Sequence, residues 1–273
     1  MKTFKKFFLA ASVIAATLGS LNSAEACTGI SLKAKDGSYV IGRTMEWGGF
    51  RMPSRIVIVP RGYSQSALTP EGANGMELKA KYGYAGIGVL DGNFIAEGMN
   101  EEGVVVELFY FPGYGETMPY KPENHDRTLC DAQFLDWVLC NFKTIDEMEA
   151  ALESIDFCTF GDGFESAHYR ISDATGRDVV VEFYDQKWHV WENNVGVITN
   201  SPSFDWHVTN LNTYMNVFPG GIEPRQLNEN LKIRAFGVGF QVITNLVAHI
   251  IENTYGLDII LQVQIITHLM LRQ

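Results

Sequence analysis

The chain has 273 residues, 46% of them apolar and 19% charged, with a net charge of −11 and four cysteines. That length supports one large domain with a real core. The acidity argues against nucleic acid or an anionic membrane as partner, and the cysteines show neither a C-x-x-C pair nor zinc spacing with histidine.

Residues 1–26 read as an export signal. Lys2, Lys5 and Lys6 precede an apolar core from Phe7 to Leu21. Asn22, Ser23 and Glu25 then lead to Ala24-x-Ala26, the small-residue pattern of a signal peptidase site. The core is shorter than the roughly 20 apolar residues that span a membrane. Cleavage after Ala26 would send the product to the periplasm or outside the cell and leave Cys27 first. A cysteine directly after a signal also fits a lipid-anchored protein, although Ala24 and Glu25 depart from the residues that route favours.

From Thr28 to about Tyr110, short strands alternate with turns. Ile30–Ala34 and Tyr39–Ile41 flank the Lys35-Asp36-Gly37 turn, Arg55–Pro60 is a third strand, and residues 63–80 read as loop. Ala85–Leu90, Phe94–Ala96 and Val104–Phe111 follow as strands, with a turn at Asn100-Glu101-Glu102-Gly103 and a loop over Pro112–Asn124. Asp131–Phe142 has helical spacing of Phe134, Leu135, Val138 and Leu139. Thr144 and Glu147 make a capping box for a second helix. Cys130 and Cys140 both fall on the first helix, where ten residues rise about 15 Å, too far for a disulfide. Strands resume at His168–Ile171, Val179–Tyr184, Trp188–Glu192 and Gly196–Thr199, and Phe204–Val217 reads as helix. Strands, then helices, then strands predict a layered α+β fold with antiparallel sheets.

The chemistry gathers around Cys27. A thiol attacks as thiolate, with a free pKa of about 8.5. A terminal α-amine, at about 7.7–8.0, can take its proton. An N-terminal cysteine therefore carries nucleophile and base on one residue. Arg43 and Glu46 lie on the return strand of the first hairpin, which brings them beside residues 27–30. There the guanidinium would favour thiolate and the carboxylate would hold the amine. The same two residues also read as an ordinary i, i+3 ion pair on an edge strand. Asn200, just past a strand and followed by Ser201-Pro202, suits an oxyanion donor, or a plain Asn-Ser-Pro turn. Tyr110, on the strand face opposite Phe109 and Phe111, is a further hydroxyl donor or a core aromatic. His125, His168, His189, His207, His249 and His268 show no spacing logic and read as surface or satisfied core. Neither H-E-x-x-H nor G-x-S-x-G occurs, and no cofactor or metal is implied.

Four motifs in order carry a resemblance: Cys27-Thr28-Gly29-Ile30 behind a signal, Gly42-Arg43-Thr44-Met45-Glu46-Trp47, Glu97-Gly98-Met99-Asn100-Glu101-Glu102-Gly103, and Thr199-Asn200-Ser201-Pro202-Ser203-Phe204-Asp205-Trp206-His207. Together they closely resemble the choloylglycine hydrolase family of bile salt hydrolases and penicillin V acylases, from Cys27 to about Gly239. The resemblance implies an αββα sandwich of the N-terminal-nucleophile type, a homotetramer as in many members, and hydrolysis of a linear C–N amide in a small-molecule substrate. It also implies Cys27 as nucleophile, Arg43 beside the sulfur, Glu46 in a position often held by aspartate, and Asn200 in the oxyanion hole. Tyr110 stands where bile salt hydrolases usually have asparagine and penicillin V acylases tyrosine, which tilts the expected substrate toward penicillin V-like acyl groups.

After Gly239 the pattern breaks. The family continues with Leu-Pro-Gly-Asp and then an active-site arginine. This chain reads Phe240-Gln241-Val242-Ile243-Thr244 and then a largely apolar run to Gln273. Codons for those five residues, read one nucleotide earlier, can encode Leu-Pro-Gly-Asp-Tyr, so a reading-frame slip is the expected origin of residues 240–273. A divergent helical tail is the alternative, since Val242, Ile243, Leu246, Val247, Ile250 and Ile251 follow helical spacing. Two other readings of the whole chain stand beside the enzyme: a secreted or lipid-anchored binding protein without chemistry, and an inactive paralogue with an altered tail.

Overall fold

The computed structural model describes residues 27–35, 38–46, 53–89, 94–159, 166–212, 225–229 and 231–233. The expected signal and the tail after Gly239 lie outside them. In chain order the strands are β1 (Thr28–Lys33), β2 (Tyr39–Thr44), β3 (Ser54–Val59), β4 (Ser64–Ser66), β5 (Glu77–Lys79), β6 (Tyr84–Val89), β7 (Phe94–Asn100), β8 (Val105–Tyr110) and β9 (Thr128–Cys130). Helices α1 (Phe134–Asn141) and α2 (Ile145–Ala151) follow. Then come β10 (Asp156–Cys158), β11 (Ala167–Ser172), β12 (Asp178–Tyr184), β13 (Lys187–Glu192), β14 (Val197–Thr199), α3 (Phe204–Leu211), β15 (Arg225–Asn228) and β16 (Leu231–Ile233).

The main sheet has seven antiparallel strands in the order β13-β12-β11-β8-β7-β6-β3, and a second sheet has the order β14-β1-β2. β12 reads Asp-Val-Val-Val-Glu-Phe-Tyr without clean alternation because both of its faces are covered. Val179, Val181 and Phe183 join the core under α1 with Ile95, Val106, Tyr169 and Ile171. Val180 faces the other way, into a smaller cluster with Cys27, Phe109, Ile198 and Phe204 between the two sheets. Helix, large sheet and small sheet thus make an α+β sandwich, and the residue that organises the site lies between its two sheets.

The helix expected over 131–142 begins as a 3₁₀ turn at Asp131–Gln133 before α1. Thr144 caps α2 as predicted, its Oγ accepting from the Glu147 N–H at 3.3 Å. The Glu147 carboxylate reaches past the cap to the Lys143 N–H at 3.1 Å, so the reciprocal half of the box is displaced by one residue. Residues 63–80 are not all loop, because β4 and β5 pair within them. Cys130 is not on α1 either: it ends β9, in parallel register with Cys158 of β10. Both pairs of strands are three residues long, too short for a period to show. All four cysteines are free thiols. The helix predicted over Phe204–Val217 is seen as α3 to Leu211, and its last five residues fall outside the described set.

One core acid makes stability depend on pH. Asp136 on α1 is buried, accepts from Tyr84 Oη at 2.6 Å, and leaves Oδ2 without a partner. Burial pushes its carboxyl up to about 7, although the tyrosine hydrogen bond opposes the shift. The folded chain therefore holds a proton that the unfolded chain releases near pH 4. The stability from this group is full below that pH and lost as pH rises through about 7. Between pH 4 and pH 8 the parent should lose on the order of 3 kcal/mol more than Asp136→Asn. Urea unfolding of both at the two pH values tests it, and parallel pH profiles would contradict it.

Candidate active site

The register of the small sheet builds the site. Thr28 pairs with Thr44 on one side and Thr199 on the other, and Gly29 pairs with Arg43 and Ile198. One rung further along places Cys27 between Met45 and Asn200. Gly29 has no side chain for a steric reason. A Cβ there would lie 2.6 Å from Phe109 Cζ and 2.8 Å from Glu107 Oε2. Only glycine lets β1 lie this close to β8.

Cys27 is 5% exposed. Its Sγ lies 3.9 Å from the Glu46 carbonyl oxygen, and its own carbonyl accepts from Thr199 Oγ1 at 2.7 Å. The structure thus brings Glu46 to the thiol through its backbone, while the Glu46 residue as a whole is exposed. Asn200 Oδ1 accepts from the Tyr110 N–H at 3.1 Å, and the Ser201 N–H donates back to the Tyr110 carbonyl at 3.1 Å. Tyr110 therefore meets Asn200 through its main chain. With Oδ1 turned to Tyr110, the Asn200 NH₂ group is the end that can donate toward an oxyanion.

Arg43 reaches away from the small sheet into the large one. Its Nη1 donates to the Leu108 carbonyl at 2.6 Å and the Ala96 carbonyl at 3.1 Å. Its guanidinium lies 4.5 Å from the Phe109 ring centroid and its Nε 3.7 Å from Glu97 Oε2. The i, i+3 partner read from sequence is not the one observed: the acid paired with Arg43 is Glu97. The side chain is 3% exposed, so this cation is a brace between the two sheets, directly beneath β1.

Beneath β1 lies a buried charge network that sequence reading missed. Arg170 Nη1 donates to Glu107 Oε2 at 3.1 Å and Nη2 to Asp178 Oδ2 at 2.7 Å, and Ser31 Oγ donates to Asp178 Oδ2 at 2.7 Å. Glu107 and Glu97 are cross-strand partners, like charges held together by Arg43 and Arg170. Burial still pushes Glu107 up to about 7, against the pull of those two arginines. His168 and Glu182 were also passed over. They sit on adjacent strands, fully buried, with Nδ1 and Oε1 2.9 Å apart. A signal was available: the two are equidistant from the Thr175 turn between β11 and β12, so hairpin register sets them opposite each other.

Chemically the arrangement offers a thiol, a neighbouring amide donor and a rigid floor. Among the described residues no group of His, Cys, Asp or Glu could hold a metal ion, and no helix is long and apolar enough to cross a membrane.

Comparison with known proteins identifies the family. The sequence profile of linear amide C–N hydrolases of the choloylglycine hydrolase family matches residues 27–245. A bile salt hydrolase/transferase from Clostridium perfringens is 35% identical over 199 residues, covering 70% of this chain and 58% of the relative. A penicillin V acylase from Pectobacterium atrosepticum is 28% identical over 233 residues, covering 81% of this chain and 61% of the relative. The chain thus spans about three-fifths of the length of these relatives. A crystal structure of a variant of conjugated bile acid hydrolase from Clostridium perfringens superposes with a TM-score of 0.64 at 29% identity, over 86% of this chain and 76% of the other. On the profile match and the shared fold together, this chain belongs to the choloylglycine hydrolase family.

Proposed function

We propose that export removes residues 1–26 and that Cys27, with its freed α-amine as base, hydrolyses a linear amide by an acyl-enzyme route. Cys27 Sγ attacks the carbonyl carbon and the α-amine takes the thiol proton. The Asn200 NH₂ stabilises the oxyanion, the amine product leaves with the proton, and water releases the acid. Arg43 supports the thiolate from beneath, and the Glu46 carboxylate holds the amine. The observation that carries the reading is the rung that sets Cys27 beside Asn200, in a family match that begins at Cys27.

Conjugated bile salts are the first substrate class, on the 35% identity to a bile salt hydrolase/transferase. Penicillin V-like acyl amides are the second, because Tyr110 occupies the position that distinguishes the two groups. The product works in the periplasm or outside the cell. The composition break after Gly239 adds a further element: residues 240–273 arise from a frame slip that removes the family's last active-site arginine.

Two measurements test this. Intact mass of the exported protein should show a free Cys27 terminus, not a lipid-modified one. Glycocholate and penicillin V should be hydrolysed by a chain read one nucleotide earlier after Gly239, at least about 100-fold faster than by the 273-residue chain, as expected for loss of one charged transition-state group. Equal turnover by the two chains would refute the frame slip, and no turnover of either substrate by either chain would refute the function.

A further inference from the structure

The site has a support that neither motif nor family likeness points to. His168 and Glu182 are both 0% exposed. Glu182 Oε1 faces His168 Nδ1 at 2.9 Å and accepts from the Phe204 N–H at 2.8 Å, and Oε2 accepts from Trp191 Nε1 at 3.0 Å. On the other side of the ring, His168 Nε2 lies 2.8 Å from the Thr199 carbonyl oxygen. A carbonyl can only accept, and Glu182 already accepts two N–H bonds. Nε2 must therefore donate to the Thr199 carbonyl, which leaves Nδ1 to share its hydrogen bond with the Glu182 carboxyl. Phe111 stacks on it at 4.4 Å with the planes 3° apart, and Phe109 meets it edge-on at 6.2 Å, which leaves the ring no room to swing.

The chain of bonds continues to the nucleophile. Thr199, held by His168 through its carbonyl, donates from Oγ1 to the carbonyl of Cys27 at 2.7 Å. The next residue, Asn200, is gripped at Oδ1 by Tyr110 and at its carbonyl by His207 Nε2 at 3.1 Å. Phe204, whose N–H is tied to Glu182, packs in the same cluster as Cys27.

We propose that the buried Glu182–His168 pair, acting through Thr199, is the positioning device that fixes Cys27 and Asn200 relative to each other. These are positioning residues, since none is assigned contact with substrate. The inference rests on Cys27 being the nucleophile. Its physical basis is that reacting groups must be held to within a fraction of an ångström, and a displacement of about 1 Å costs on the order of 100-fold in rate.

The experiment compares Thr199→Val, Thr199→Ser and Glu182→Gln in the exported protein, confirmed by mass to begin at Cys27. Valine keeps the shape of threonine and removes only the donor to Cys27, whereas serine restores it. In Thr199→Val, kcat for glycocholate or penicillin V should fall about 30-fold with KM within about threefold, and Thr199→Ser should recover to within about threefold of the parent. Alkylation of Cys27 by iodoacetamide, followed by peptide mass, replaces kcat if neither substrate turns over. It should slow at least about tenfold in the valine variant and recover in the serine variant.

Parent-like rates in a folded Thr199→Val, or a valine defect that serine does not rescue, would each overturn the proposal. If Glu182→Gln fails to fold, the threonine pair still decides the matter. Alkylation needs no amide hydrolysis, so failure of both reading frames to turn over either substrate would sink the functional reading and leave this one open to its own test.

Discussion

Cys27→Ser should reduce kcat by a factor on the order of 10³ or more while leaving the fold intact. The hydroxyl is close in size to the thiol, and among the described residues the polar contact of Sγ is a long one, 3.9 Å to the Glu46 carbonyl. The hydrogen bond that holds residue 27 in place uses its backbone carbonyl and Thr199 Oγ1, which the substitution leaves alone. The loss is therefore chemical. An α-amine that can take a thiol proton near pH 7 cannot readily take one from an aliphatic hydroxyl, and the oxygen nucleophile stays protonated. The thermal midpoint should move by no more than a few degrees, the response to a stability change of about 1 kcal/mol in a chain this size. The check is kcat on glycocholate and penicillin V beside a melting curve, using whichever of the two reading frames turns over. A serine variant that keeps a tenth of the parental kcat would remove Cys27 from the role of nucleophile. A collapse in melting temperature would mean that its role is in the core.

What could be read from the residues divides along a physical line. The long strands were legible because their apolar runs are bounded by turns: Val179–Tyr184 and Val104–Phe111 were expected, and Asp178–Tyr184 and Val105–Tyr110 are seen. α1 was legible from its spacing and α2 from Thr144. Segments such as Ser64–Ser66 and Asp156–Cys158 were not, because three residues carry no period and owe their strand geometry to partners distant in sequence. The site divides in the same way. Cys27 and Asn200 stood out as residue types suited to a reaction, and the register brings them to one rung. The destination of a side chain was beyond reach. Arg43 looked like a partner of Glu46 because they are close in sequence, yet it crosses to Glu97, Ala96 and Leu108 on strands more than 50 residues later. His168 read as satisfied core, which is literally correct. What the sequence hid was that satisfying it ties Glu182 to the residue that holds Cys27.

Arg43→Leu should have the second-largest effect, on stability and rate together. The guanidinium donates to two main-chain carbonyls between the sheets, and leucine leaves both without that donor. It also removes one of the two cations that hold Glu97 and Glu107 side by side. Removing one partner from a buried charge group typically costs about 3–5 kcal/mol, which for a chain of this size lowers the melting midpoint by roughly 10 °C. With the brace gone, β1 is free to shift over the large sheet, and kcat should fall by about 10²-fold or more. Arg43→Lys should recover part of the stability through its charge and less of the rate, since an ammonium cannot reproduce the planar fork.

The stability loss should also depend on pH, in a direction the structure determines. Glu107 is raised to about 7 chiefly by burial, and Arg43 is one of the groups that hold it down. Without Arg43 its folded value rises further. At pH 5 the folded chain already keeps Glu107 protonated, so the missing cation costs little through Glu107 there, and the deficit comes from the two carbonyls and Glu97. At pH 8 the parent ionises Glu107 beside two guanidiniums, whereas the variant must either ionise it beside one or hold a proton that the unfolded chain releases. The deficit of Arg43→Leu should therefore be larger at pH 8 than at pH 5, by about 1 kcal/mol or more. Urea unfolding of parent and variant at the two pH values measures it. Equal deficits would show that Arg43 braces the sheets through its carbonyl bonds alone, with no electrostatic hold on the Glu97–Glu107 pair.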